Sequence, residues 1–214
     1  MAYNSTGLVV HDADAHIMET PTWLRDHADP SIRDRIDALT YPGGNELQQS
    51  AVEFGEHDDL ETGFERLAQR HQTADYIAAE EAEIMLRKNY AATGSFIAED
   101  RPRALDMLGF ASQLVFNTFY NSRLCEWEHS GDMEFAIGTA RAHNRGLAEF
   151  CSVDRRLLST LYVPLADIDR APALAEEAIN MGAGALLIAS ACPPGHSPSH
   201  VGLDPVWSMA ADAG

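Results

Sequence analysis

Asp14 and His16 combine residue types and a spacing that suit metal chemistry. They lie in the polar segment 11–16, which directly follows the apolar residues 8–10. The apolar run predicts a short buried strand whose C-terminal end opens into a polar site. Side chains two positions apart on an extended segment project to the same face, so both groups can reach one cation. Oxygen and nitrogen ligands of this kind suit zinc.

A second carboxylate, Glu19, stands three residues after His16. Taken alone, Asp14 and His16 are also compatible with an aspartate that caps a turn beside a solvated histidine. The apolar strand before the pair and the carboxylate after it favour a metal site over that interpretation.

Strand and helix patterns alternate in the second half of the chain. Gly109, Pro164 and Gly182 end predicted elements, and Asp204 caps the last helix. The predicted strands cover residues 8–10, 111–116, 157–163 and 185–189, and the predicted helices cover residues 101–108, 133–150, 168–181 and 204–213. Such alternation indicates βαβ units and a parallel sheet.

Four units predict the first half of a (β/α)8 TIM barrel in the α/β class, since a complete barrel needs about 250 residues. We predict one domain over residues 1–214, with a helical insertion at 40–98. Active-site groups of such barrels lie at the C-terminal strand ends. Asn117 follows the second strand and His196 follows the fourth, so both are predicted to contact substrate. A solvated loop is the alternative for His196.

The charge balance limits the range of partners. The chain has 15 Lys and Arg residues against 33 Asp and Glu residues, a formal net charge of -18, which repels nucleic-acid phosphates and anionic membranes. The three cysteines are widely spaced and form no disulfide or zinc-thiolate pattern. The N-terminal residues lack the features of a signal peptide. We therefore predict a cytoplasmic protein that binds a small molecule, and no nucleic acid or membrane.

The segment 10–19, followed by Pro21 and Trp23, resembles the opening of the amidohydrolase-related (amidohydrolase 2) family. This family includes aminocarboxymuconate semialdehyde decarboxylase and the resorcylate-type decarboxylases, and it begins with a [His/Glu/Asp]-x-His pair on the first strand. Residues 202–207 resemble the helix before the family's fifth strand. The resemblance implies that Asp14 and His16 bind a divalent metal, zinc being expected, and that Glu19 is a further ligand or orients them.

The same resemblance implies a metal-dependent hydrolase or a non-oxidative decarboxylase that acts on a small carboxylated substrate, aromatic ones included. Further ligands and the main acid and base groups of the family come from later strands, which would lie beyond Gly214. No lysine ends the fourth predicted strand, so a mononuclear site is expected.

An alternative function is a truncated or noncatalytic half-barrel subunit. A half-barrel leaves a parallel sheet edge open, and an open edge favours association. Such a chain would need another chain, a second copy or the missing C-terminal half for activity. We therefore expect a homo-oligomer or association through the open edge.

Overall fold

A parallel sheet forms the centre of the molecule. The computed structural model describes residues 2–4, 7–39 and 60–214. Within them, four parallel strands are hydrogen-bonded in the order β1-β2-β3-β4. The strands are His11–His16 (β1), Ser112–Phe116 (β2), Leu157–Tyr162 (β3) and Ala185–Leu187 (β4). The predicted α/β class with a parallel sheet is confirmed.

Helices connect the parallel strands, as parallel pairing requires. Between β1 and β2 lie Trp23–Asp26 (α1), Pro30–Arg33 (α2), Leu60–His71 (α3), Ala74–Glu83 (α4) and Arg101–Leu108 (α5). Tyr120–Glu128 (α6) and Met133–Cys151 (α7) join β2 to β3, Ala171–Asn180 (α8) joins β3 to β4, and Asp204–Ala213 (α9) follows β4. Short 3-10 helices cover Asn89–Ala91, Ala98–Asp100 and Val201–Leu203.

The predicted insertion overlaps a helical region beside β1. Residues 40–59 lie outside the described part of the chain, and α3 and α4 lie in the remainder. The Tyr90 hydroxyl donates to the Glu19 carbonyl oxygen at 2.7 Å, which packs this region against the segment after β1. The domain limits of 1–214 and 40–98 stay a prediction.

The position of β1 corrects the sequence interpretation. The strand was expected at residues 8–10, but it begins at His11 and consists of the polar segment itself. Leu8 and Val9 are 73% and 76% exposed. Pairing explains the difference, because residues 11–16 lie beside β2, with His11 opposite Ser112. Backbone hydrogen bonds to β2 therefore outweigh the local apolar pattern.

A β-bulge changes the direction of side chains along β1. Asp12 lies opposite Gln113 and Ala15 lies opposite Val115, so the register shifts between Asp12 and Ala15. Two residues of β1 therefore oppose one residue of β2, which is the geometry of a bulge. Such bulges re-aim side chains next to active sites.

The core lies between the sheet and its helices. It contains Leu105 of α5, Val115 of β2, Leu147 of α7, Leu161 of β3 and Ala175 of α8. Each fully buried leucine or valine contributes roughly 1.5–3 kcal/mol through removal of apolar surface from water. Within the described residues, no helix combines the length and apolar character needed to cross a membrane.

Candidate functional site

Asp14 and His16 meet at the C-terminal end of β1. Asp14 Oδ1 lies 3.2 Å from His16 Nε2. The Asp14 side chain is 86% exposed and the His16 side chain is 39% exposed, so both are accessible from solvent. Two ligands bound about 2.0–2.1 Å from a tetrahedral zinc ion lie roughly 3.3 Å apart. The observed separation therefore fits two ligands of one ion.

The backbone of β2 fixes the orientation of the His16 ring. His16 Nδ1 lies 2.9 Å from the Asn117 carbonyl oxygen, which can only accept a hydrogen bond. In the neutral ring Nδ1 therefore carries the proton, and Nε2 keeps its lone pair. The ring also stacks on Phe116, with 5.8 Å between centroids. A second-nitrogen hydrogen bond of this kind is usual for histidines that bind metals.

The buried carboxylate of Glu19 binds the backbone just after β2. Its side chain is buried, and its carboxylate accepts hydrogen bonds from the amides of Thr118, Phe119 and Tyr120 at 3.1–3.3 Å. Burial raises the pKa of Glu19, while these amide contacts oppose the rise. The Glu19 carboxylate thus binds the backbone amides at the start of α6, and its role in orienting the pair stays a prediction. Its role as a metal ligand stays a prediction.

A cleft, described below, lies beside the Asp14–His16 pair. Neither Asn117 nor His196 is among the residues that line it. The Asn117 side chain is fully buried, and its amide atoms have no hydrogen-bond partner within the described residues. Its backbone carbonyl is the atom that contacts His16. His196 lies in the loop after β4, where its ring is 5.7 Å from that of His200. Contacts of Asn117 and His196 with substrate stay predictions.

A cleft of about 620 Å³ opens beside Asp14 and His16 at the C-terminal ends of the strands. Its polar walls come mainly from α6, and its apolar walls come from the ends of β2, β3 and β4. The lining residues are Asp14, His16, Phe116, Asn121, Ser122, Cys125, Glu126, Tyr162, Leu187, Ile188, Ala189 and Ser190. The α6 residues that line the cleft were not among the site residues predicted from the sequence. The available signal was the helical spacing of Tyr120, Leu124 and Glu128, which are buried in α6.

Tyr162 is held rigidly at the end of β3. Its hydroxyl donates to the buried carboxylate of Glu128, which also accepts the amides of Leu165 and Ala166 at 2.7 and 2.8 Å. Asn144 bonds both the backbone N–H and the carbonyl of Tyr162, at 2.7 and 2.9 Å. Burial and the contact with Glu128 raise the pKa of Tyr162, so the phenol stays neutral.

No family model matches the chain, and no curated protein matches it. The chain is similar to the crystal structure of an amidohydrolase from Mycobacterium avium subsp. paratuberculosis K-10, with a TM-score of 0.66 over 98% of this chain and 18% sequence identity. The chain therefore has the fold of part of a (β/α)8 barrel. This chain spans 58% of the length of that amidohydrolase chain.

In this partial-barrel fold, the donor set of the candidate site consists of one carboxylate and one imidazole. Within residues 2–4, 7–39 and 60–214, no group of three or more His, Cys, Asp or Glu side chains is arranged to hold a metal ion. Catalytic zinc normally has three protein ligands and one open position. Asp14 and His16 therefore fit two positions of such a site.

Proposed function

We propose that the chain is part of a metal-dependent amidohydrolase-type enzyme, either a hydrolase or a non-oxidative decarboxylase. The observation that carries the proposal is the Asp14–His16 pair, with 3.2 Å between Oδ1 and Nε2, at the C-terminal end of β1 in this fold. Active-site groups of (β/α) barrels lie at this face. The family resemblance and the known fold thus support the same location independently.

Asp14 and His16 would hold one divalent ion, zinc being the expected metal. When bound, such an ion lowers the pKa of a water molecule or polarises a substrate oxygen. The Asn117 carbonyl keeps the His16 ring in the tautomer that presents Nε2, and Glu19 fixes the backbone from Thr118 to Tyr120. The cleft residues that follow β4 include no lysine, which supports a mononuclear site.

The cleft favours a small substrate with an apolar or aromatic part. Phe116, Tyr162 and Leu187 supply apolar walls, while Asn121 and Ser122 supply hydrogen-bonding groups. Neither lysine nor arginine is among the described residues that line the cleft. A carboxylate on the substrate would therefore bind to the metal and to neutral polar groups. Contacts from Asn117 and His196 would require movement of the surrounding loops.

Metal titration tests the proposal. Purified protein is titrated with Zn²⁺, and affinity is measured by calorimetry for the wild type and for the variants Asp14→Ala and His16→Ala. Each variant should bind at least roughly tenfold more weakly, because one of two protein ligands is lost. His11→Ala is the matched control, because His11 lies on the same strand and contacts Ser112 Oγ at 2.7 Å instead of the pair. Equal affinity of the wild type and His16→Ala would refute the ligand assignment.

A second assay, on the zinc-loaded protein, distinguishes a decarboxylase from a hydrolase. Release of CO2 from small aromatic carboxylates would indicate a decarboxylase, and cleavage of amides or esters would indicate a hydrolase. Dependence of either reaction on His16 is the expected result. Equal turnover by wild type and His16→Ala would exclude this site as its source.

A noncatalytic or incomplete half-barrel subunit is the second candidate. The observation that favours it is the sheet itself, since within the described residues β1 and β4 each pair on one side only. Such a subunit would associate with another chain or a second copy through these edges. Analytical ultracentrifugation with and without zinc tests this candidate, and a monomer that retains stoichiometric zinc would refute it.

A further inference from the structure

Arg101 is a buried cation directly behind the Asp14–His16 pair. It is 7% exposed and lies at the start of α5. Its Nη1 donates to the carbonyl oxygens of His16 and Gly94, at 3.2 and 3.1 Å. Its Nε donates to Gln113 Oε1 at 2.8 Å. Burying a guanidinium is costly unless its donors find partners, so a position of this kind is maintained by specific contacts.

The Gln113 side-chain amide connects Arg101 to Asp12 of β1 through two hydrogen bonds. Its Oε1 accepts from Arg101, so its Nε2 must face Asp12, where it donates to Oδ2 at 3.0 Å. The other oxygen, Asp12 Oδ1, accepts the backbone N–H of Asp14 at 3.0 Å. Each group in the series has one possible role, because guanidinium only donates and carboxylate only accepts.

The series therefore contacts the backbone on both sides of the ligand pair. It binds the N–H of Asp14 through Asp12, and it binds the carbonyl of His16 through Arg101. These contacts span the bulge between Asp12 and Ala15. They restrain the part of β1 whose conformation decides whether Asp14 and His16 face the same ion.

We propose that Arg101, Gln113 and Asp12 form a directional hydrogen-bond relay that positions the Asp14–His16 pair for metal binding. The three are positioning residues, because they act through the backbone of the pair. The inference rests on the proposed metal site. The relay also restrains the backbone of β1 whether or not metal binds.

Exchange of amide and carboxylate between two positions tests the relay. In Asp12→Asn alone, the new side-chain NH2 lies against Gln113 Nε2, so that two donors face each other. If Gln113 turns its amide over instead, its own NH2 faces the Arg101 guanidinium, and two donors meet there. Gln113→Glu alone places two carboxylates about 3 Å apart, where like charges repel. The double variant Asp12→Asn/Gln113→Glu restores every donor and acceptor: position 113 accepts from Arg101 and from the new amide, and position 12 still accepts from Asp14.

The first readout is Co²⁺ affinity and the ligand-field spectrum of the Co²⁺-loaded protein. Each single variant should bind Co²⁺ roughly 10- to 100-fold more weakly, the range found when residues that orient metal ligands are changed. The double variant should regain most of the affinity and the wild-type spectrum. Asp154→Asn is the matched control, because Asp154 binds Arg156 at 2.8 Å just before β3 and is not one of the three relay residues. The control should bind Co²⁺ as the wild type does.

The second readout needs no metal. In the two-dimensional NMR spectrum, the backbone amide of Asp14 should shift in each single variant and return toward its wild-type position in the double variant. If the wild-type protein binds no Co²⁺ but the Asp14 amide still shifts in the single variants and returns in the double variant, the proposed function is overturned and the relay is supported. Metal binding that is equally weak in the single and double variants, with no recovery of the amide position, would overturn the relay.

Discussion

His143 gives the sharpest test of the buried polar packing, through the dependence of stability on pH. The side chain is fully buried in α7, its Nδ1 donates to Asn144 Oδ1 at 2.9 Å, and Trp23 packs against it edge-on at 6.0 Å. Burial lowers the pKa of His143 to about 4, and the contact with Asn144 opposes the change only in part. An unfolded histidine has a pKa near 6.5.

The sign follows from these two pKa values. Below about pH 6.5 the unfolded chain binds a proton that the folded protein does not accept until about pH 4. Protons therefore favour unfolding, and stability is lost as the pH falls through this window. One pKa unit corresponds to about 1.36 kcal/mol, so the loss attributable to His143 is roughly 3 kcal/mol.

Urea denaturation between pH 4 and pH 8 measures this loss directly. The free energy of unfolding of His143→Gln should depend less on pH than that of the wild type, by roughly 3 kcal/mol across the window. Thr139→Val is the control, because Thr139 is also buried in α7 and does not titrate. It should lower stability without changing the pH dependence. Identical pH profiles for the wild type and His143→Gln would refute the reasoning.

Three further expectations concern the end of β3 and the packing of α7. Asn144→Leu should lower the free energy of unfolding by about 2–6 kcal/mol in urea titrations, because the buried N–H and carbonyl of Tyr162 each lose a partner; a loss below about 1 kcal/mol would contradict this. Tyr162→Phe should cost about 1–3 kcal/mol by the same measurement, because the carboxylate of Glu128 loses a donor while the ring volume is kept; unchanged stability would show that this contact is unimportant. Gly146→Ala should lower the melting temperature by several degrees, because the added Cβ would lie 2.6 Å from the Trp23 ring; a higher melting temperature would show that α1 adjusts freely.

Much of the fold could be predicted because its signals are local. The runs that became β2, β3 and β4 are apolar and bounded by Gly or Pro, and Asp204 with its following proline marks the start of α9 at the position observed. β1 could not be placed by the same criterion, because its polar residues gain backbone partners only from β2. α6 was missed because Tyr120 and Leu124 are separated by polar residues, although their spacing is helical.

In the candidate site, too, contacts between residues close in the sequence could be predicted, and contacts between distant segments could not. The Asp14–His16 contact follows from a spacing of two on one strand, and the sequence suggested it. The contact of His16 with the Asn117 carbonyl joins residues 101 positions apart. The sequence marked Asn117 as a possible substrate contact, whereas the structure uses its backbone carbonyl. No pattern of side chains encodes a backbone acceptor whose position depends on the register of two strands.

In the proposed function, the contacts that join the end of β1 to β2 and to the segment after β2, here called the seam, would hold the pair in place for a metal ion. Asp12 contacts Gln113, His16 contacts Asn117 and Glu19 contacts Thr118, so three contacts between distant segments restrain the part of the chain that carries the proposed ligands. A chain in which β1 is unpaired keeps the sequence motif but loses the fixed tautomer and the restrained bulge. Metal that binds the paired state more tightly must stabilise that pairing by the same free energy. Zinc should accordingly slow hydrogen exchange at the β1 amides in the wild type, and His16→Ala should abolish this protection; equal exchange with and without saturating zinc would mean that the seam does not respond to the metal.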